Sequence, residues 1–103
     1  MLIAKVTGSL VATQKVGAMV GRKLLLVEPY RLDPATRGGL VGTGRSMVAV
    51  DTVGAGEGEM VLITQGSSAR LTPETKTLPV DTVVIGIIDT VHLGATCVYH
   101  KEP

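Results

Sequence analysis

A chain rich in apolar residues but nearly devoid of aromatic ones has few ways to build a core. Here 45% of the residues are apolar, yet there is no Phe and no Trp, and Tyr30 and Tyr99 are the only aromatic side chains. The interior must be filled by Val, Ile, Leu, Met and Ala. With 103 residues, one such core is feasible and two are not, because a domain of this size buries only about two-thirds of the surface its unfolded chain exposes.

The apolar residues fall in short runs with the period of two that marks half-buried strands. In the first segment Leu2, Ala4, Val6, Leu10 and Ala12 share one face, with Lys5, Thr7, Ser9 and Thr13 on the other. Gly8 interrupts the alternation at a place suited to a bulge. Residues 16–21 form a short connection, and residues 23–28 read as a second strand that Pro29 closes. Residues 31–45 hold Pro34 and four glycines and read as a long loop. Residues 47–51 and 59–64 read as two strands joined in a hairpin by the glycine-rich turn at 54–58. Residues 66–71 have room for one helical turn, with Ser67 or Ser68 as its N-cap. Residues 72–79 are a polar loop between two prolines, and residues 82–93 read as the last long strand. Gly94 then turns the chain into a short edge segment at 96–100. Five strands and one short helical turn predict an all-β fold, a small closed or partly closed barrel. Closure also removes the exposed edges that so many β-formers would present. The expected division is a barrel domain over 1–93 and a C-terminal tail over 94–103 able to add an edge strand.

Charge narrows the function classes. Ten basic and nine acidic residues leave a net charge of +1 with no block of either sign, which argues against a nucleic-acid or anionic-membrane surface. The longest strongly apolar run, residues 83–88, is far too short to span a bilayer. The segment Met1-Leu2-Ile3-Ala4-Lys5 has no charged leader and reads as a strand, not a signal peptide. Cys97 is the sole cysteine, so no intrachain disulfide forms and the cytoplasm is the expected compartment.

No constellation for chemistry emerges. His92, Cys97 and His100 supply three metal ligands at most, at irregular spacing, so no metal site is expected. Ser9, Ser46, Ser67 and Ser68 lie in no nucleophile elbow. Asp51, Asp81 and Asp89 each begin an Asp-Thr-Val tripeptide, and acids at strand ends more often bind loop backbone or form interface ion pairs than catalyse. The turn at 54–58 has Gly-x-Gly-x-Gly spacing, carries Glu57 and precedes no long helix, so it is not a phosphate cradle, and no cofactor is expected. Residues 17–23 fail the P-loop pattern. A small barrel could instead bind single-stranded nucleic acid, but that needs a stacking platform that two tyrosines do not make.

The remaining signal is surplus β-apolar surface. In the last strand Val83, Ile85, Ile87 and Val91 occupy one face, and Val84 and Ile88 the other. Residues 60–63 are likewise apolar on both faces. Only one face of a barrel strand points inward, so the outer one meets either another subunit or the chain's own loops. Periodicity leaves both open.

The ordered set of segments resembles the vertex proteins of bacterial microcompartment shells, the ethanolamine-utilisation and carboxysome pentamer family. The matching pieces are Ala4-Lys5-Val6-Thr7-Gly8, Lys23-Leu24-Leu25-Leu26-Val27 and the stretch from Val48 to Glu59 that includes Asp51-Thr52-Val53-Gly54-Ala55-Gly56. Gly66-Ser67-Ser68-Ala69-Arg70, Pro79-Val80-Asp81 and Ile85-Gly86-Ile87-Ile88-Asp89 follow. Residues 31–45 and 94–103 match no fixed pattern, although Val98-Tyr99-His100-Lys101 resembles the ends of ethanolamine-type members.

The resemblance implies a five-stranded barrel similar to an oligonucleotide-binding fold, in a non-enzymatic structural protein with no catalytic residues. It would form a homopentamer, with a ring of six as the alternative, and would fill the five-fold vertices of a shell in the bacterial cytoplasm beside hexameric shell proteins. A flat hexagonal sheet cannot close without such units. A cyclic ring needs a heterologous interface, in which one patch meets a different patch on the next copy. The candidate axial and interface residues are Gly66, Ser67, Ser68, Ala69 and Arg70, together with Gly54, Gly56, Asp51 and Asp81. Arg70 is expected to pair with Asp51 or Asp81, within the chain or across the interface.

Overall fold

A computed structural model describes residues 1–12, 16–19, 21–35, 38–73, 75–76 and 80–101. The expected placements of Thr13 and of Pro79 lie outside them. The element order is β1 (Leu2–Leu10), a 3-10 turn (Gly17–Met19), β2 (Leu24–Leu32), β3 (Leu40–Gly42), β4 (Met47–Asp51) and β5 (Met60–Gln65). A second 3-10 turn (Gly66–Arg70), β6 (Thr82–Ile87), β7 (Thr90–Leu93) and β8 (Thr96–His100) complete it. No helix among these residues is long and apolar enough to cross a membrane.

Five strands close on themselves. The sheet runs β1-β5-β6-β4-β2, and a further pairing of β1 with β2 shuts the ring. All neighbours are antiparallel except β4 and β6, which run parallel with Val50 opposite Val83 and Asp51 opposite Val84. The expected five-stranded barrel is therefore present. Inside it, Ala4, Val6, Leu25, Val27, Ala49, Ala55, Val61, Ile63 and Val84 form one buried cluster, all aliphatic, as the composition requires.

A second cluster lies on the outer face of the same wall. Val50, Ala69 and Val83 are buried there, with Met19, Leu24, Val80 and Ile85 packed against them. Alternation explains the sorting, since Leu25, Ala49 and Val84 point in while their neighbours Leu24, Val50 and Val83 point out. Ala69 of the second 3-10 turn covers part of this outer face. Self-cover thus accounts for Val50 and Val83, the loop alternative left open above.

Two bulges change which residues face inward. In β1 the register against β2 shifts between Val6 and Gly8, as the interruption at Gly8 predicts. Beyond the shift Leu10 stands opposite Leu24 rather than in phase with Val6. Leu10 is accordingly turned outward and exposed, not buried with Ala4 and Val6 as the alternation suggested. In β6, Leu62 pairs with Gly86 and Ile63 with Val84, so Ile85 is the extra residue. The bulge moves Ile87 to the inner cluster and leaves Val83 and Ile85 outside, where simple alternation put all three on one face.

Other expectations are corrected. β2 continues through Pro29 to Leu32. A proline is tolerated there because the bonds made at this position use its carbonyl, which accepts from Thr43 N–H at 3.1 Å and Thr43 Oγ1 at 2.8 Å. The long loop therefore contains β3, paired with β2. β4 and β5 are not a hairpin, since among the described residues β4 pairs with β2 and β6, and β5 with β1 and β6. The second 3-10 turn has Gln65 at its N-cap without a side-chain cap bond, not Ser67 or Ser68.

The last strand breaks after Ile87. β7 pairs with β8, Thr90 opposite His100, as a separate two-stranded hairpin. The segment 96–100 therefore extends β7, not the barrel edge. The hairpin lengthens the molecule to 46 × 26 × 24 Å, with a radius of gyration of 14.4 Å against about 13 Å for a compact chain of this length. Its root carries Val98 and Tyr99, which line a cleft of about 230 Å³ with Tyr30, Leu40, Lys5 and Met60. Both tyrosines of the chain line this cleft.

Candidate functional site

The stretch 51–59 is built around one carboxylate. Asp51 Oδ1 accepts from Val53 N–H at 3.0 Å and Gly54 N–H at 3.1 Å, and Oδ2 from Ala55 N–H at 2.9 Å. Lys23 Nζ lies 3.3 Å from Oδ2 and donates to the Ala55 carbonyl at 2.8 Å. The Asp51 side chain is 1% exposed. A short acceptor three residues before a glycine satisfies backbone donors that no strand partner reaches. Gly54 adopts φ +82 and Gly58 φ +87, which side chains rarely enter. Gly58 N–H then bonds to the Val6 carbonyl at 2.8 Å and Val6 N–H to the Glu59 carbonyl at 2.9 Å. This wiring carries the chain away from β4 to start β5 beside β1, which is why no hairpin forms.

Glu59 ties the same stretch to the C-terminal hairpin. Its Oε1 accepts from Gly56 N–H at 2.7 Å and its Oε2 lies 2.8 Å from Lys101 Nζ. The hydrogen bond from Lys101, then that from Gly56, holds the Glu59 carboxyl below its ordinary range, and the same contact with Glu59 raises Lys101. Glu59 therefore supports the joint above the ordinary glutamate range, and that support is lost as pH falls through its lowered folded value. Lys101 contributes below its ordinary range and loses its share as pH rises through its raised folded value. Lys101→Met should increase amide exchange in residues 90–100 and remove the acid-side dependence of their protection. Protection in β5 should not change, and equal loosening there would show that the pair serves the whole barrel.

The second 3-10 turn is also fixed. Gly66 N–H donates to the Asp81 carbonyl at 2.8 Å, Leu71 N–H to that of Ser68 at 3.2 Å, and Thr75 Oγ1 to that of Ala69 at 2.6 Å. Thr75 is fully buried and shares a 2.6 Å hydrogen bond with the Thr72 hydroxyl. With Ala69 packed inward, Ser67, Ser68 and Arg70 face out.

Gly66, Ser67, Ser68, Ala69, Arg70 and Asp81 thus form one surface. Gly54 and Gly56 belong to another, beyond the opposite end of β5, six residues or about 20 Å away, while Asp51 stands opposite Val84, three residues along the chain from Asp81. The two loops do not adjoin. Asp51 is committed to Lys23 and to backbone, so the intrachain Arg70–Asp51 pair is absent. Lys23, Glu59 and Lys101 were not singled out by sequence, although an Asp three positions before a Gly is a legible loop signal. No group of three metal-ligating side chains converges among the described residues.

Between the second 3-10 turn and the barrel wall runs an open groove of about 200 Å³, lined by Met19, Leu24, Val48, Val50, Val80 and Thr82, with Asp81 at its rim. It is the part of the outer apolar face that the described residues leave uncovered.

Comparison with known proteins matches this frame. A family model described as ethanolamine utilisation protein EutN/carboxysome fits residues 1–89. The bacterial microcompartment shell vertex protein EutN of Escherichia coli K12 is 43% identical over 98% of this chain and 100% of its own. The structure of Gloeobacter violaceus CcmL superposes with a TM-score of 0.85 at 42% identity, covering 98% of both chains. The GrpN pentameric microcompartment shell protein of Rhodospirillum rubrum gives a TM-score of 0.74 at 40% identity over 90% of this chain and 98% of its own.

Proposed function

Because the chain belongs to the EutN/carboxysome family of microcompartment shell vertex proteins, we propose that it is a structural protein, not an enzyme, whose homopentamer fills the five-fold corners of a bacterial microcompartment shell. The observation that carries this reading is similarity over 90% of this chain, in sequence and in fold, to a relative described as pentameric. The apolar groove left open on the outer wall supports it, since a ring must bury one patch of each copy against a different patch of the next. The exposed turn Gly66–Arg70 is proposed to face the ring axis and line its opening, with hexameric shell proteins as neighbours at the rim. The single-stranded nucleic-acid alternative gains no support, because both tyrosines are half-buried at the hairpin joint.

Native mass spectrometry tests the assembly. Five chains of 10.7 kDa give a particle of about 53 kDa in one cyclic assembly. A monomer at micromolar concentration overturns the reading, and a particle of six chains overturns its five-fold form.

A further inference from the structure

The outer groove and the 3-10 turn beside it have complementary features that the single chain does not bring together. Leu71, directly after the turn, is 80% exposed, and Val48 on the groove wall is 46% exposed. Arg70 and Asp81 are both exposed, and the side chain of neither makes a hydrogen bond or ion pair among the described residues. One surface therefore offers an unpaired cation next to a projecting leucine. The other offers an unpaired anion on the rim of an apolar socket.

Resting on the ring assembly above, we propose that this socket is filled by the next copy of the chain. Leu71 of one subunit seats in the groove of its neighbour between Val48 and Val80, and Arg70 pairs with Asp81 of the partner subunit. Three observations choose a second copy as the occupant. The charges are complementary between two patches of the same chain. The chain's own Leu71 does not fill the groove. The turn and the groove rim are also contiguous, joined by the hydrogen bond from Gly66 N–H to the Asp81 carbonyl. Near a rotation axis, the two halves of a heterologous interface converge on the same short segment of each copy. A projecting turn beside its own socket has that arrangement.

The test is charge reversal in trans. Arg70→Glu and Asp81→Arg should each raise the concentration at which the ring half-dissociates by about tenfold or more, and the double variant should recover most of the loss. Mixing the two single variants separates a contact between copies from one within a chain. Glu at position 70 of one variant can face Arg at position 81 of the other, and the unaltered Arg70 and Asp81 face each other at the alternate contact. Rings holding both chains should therefore form. Because five is odd, strict alternation leaves one like-charge contact, so such rings hold three of one chain and two of the other and are weaker than wild type. Leu71→Ser should weaken the ring without lowering the chain's circular-dichroism melting transition measured below the ring's dissociation concentration. A wild-type chain that forms no ring overturns the proposed function itself. A wild-type ring that tolerates both reversals, or single variants that regain nothing on mixing, overturns the socket alone.

Discussion

Asp51→Ala should lower stability by about 3 kcal/mol, because it strips the acceptor from three backbone N–H groups and leaves Lys23 without its anion. The contribution of the Lys23 pair itself is small, since the ammonium is 53% exposed. Most of the loss comes from the N–H of the fully buried Ala55, left without its acceptor, since the exposed Val53 and Gly54 donors can turn to water. For a domain of about 100 residues this corresponds to a fall in melting temperature of about 12–24 °C at fixed chain concentration. Asp51→Asn should cost about half as much. Its amide oxygen still accepts from Val53 and Gly54, but its NH₂ meets Ala55 N–H and the Lys23 ammonium. A change of only a few degrees for the alanine variant would mean that residues 51–59 hold their path without the carboxylate.

Ile63→Ala is expected to be of similar or greater size, about 2–5 kcal/mol. Ile63 is fully buried in the barrel, and the other buried residues of its cluster are Val, Ala and Leu side chains. Such neighbours are short, and the β-branched ones are confined to few rotamers, so they have little capacity to collapse into the vacated space. A barrel closed on all sides by hydrogen bonds adds backbone rigidity. The urea midpoint should drop without a change in slope. Ile63→Phe should also destabilise, by about 1–3 kcal/mol, because an interior built without aromatic residues has no room for one. If Phe were tolerated at wild-type stability, the barrel would be looser than its packing indicates.

The barrel was legible because its signal is local. Val48, Ala49 and Val50, or Val61, Leu62 and Ile63, announce strands in a few residues, and Gly8 marks its bulge. What sequence did not reveal depends on which strand pairs with which. The stretch 54–58 has the composition of a hairpin turn, and only its bonds to Asp51 and to Val6 show that it is a connection between distant strands. The bulge at Ile85 carries no glycine or proline of its own and follows from the pairing of Gly86 with Leu62. The break after Ile87 was invisible because Ile88 and Val91 continue an apolar run. At the candidate site, the turn Gly66–Arg70 and Asp81 were found by resemblance and lie together. Asp51, Gly54 and Gly56 came from the same resemblance, and the strand order that sets Gly54 and Gly56 on a separate loop was not legible in the sequence.

The closing pair of the barrel has a consequence for how the chain comes to exist at all. β1 pairs on one side with β5, Leu2 opposite Ile63, and β5 in turn with β6, Val61 opposite Ile87. The first strand to leave the ribosome thus waits for more than half the chain before its second neighbour appears, and the ring of strands cannot shut until residue 87 has emerged. Contacts of such long sequence separation place folding on the millisecond-to-second scale, while synthesis at about 5–20 residues per second leaves β1 and β2 as an open two-stranded ribbon for seconds. The surface proposed to meet a neighbour includes Val80 and Asp81, and it forms only as the final barrel strand is added. Copies therefore gain the ability to recognise one another last, after closure has removed the strand edges by which they would otherwise join wrongly.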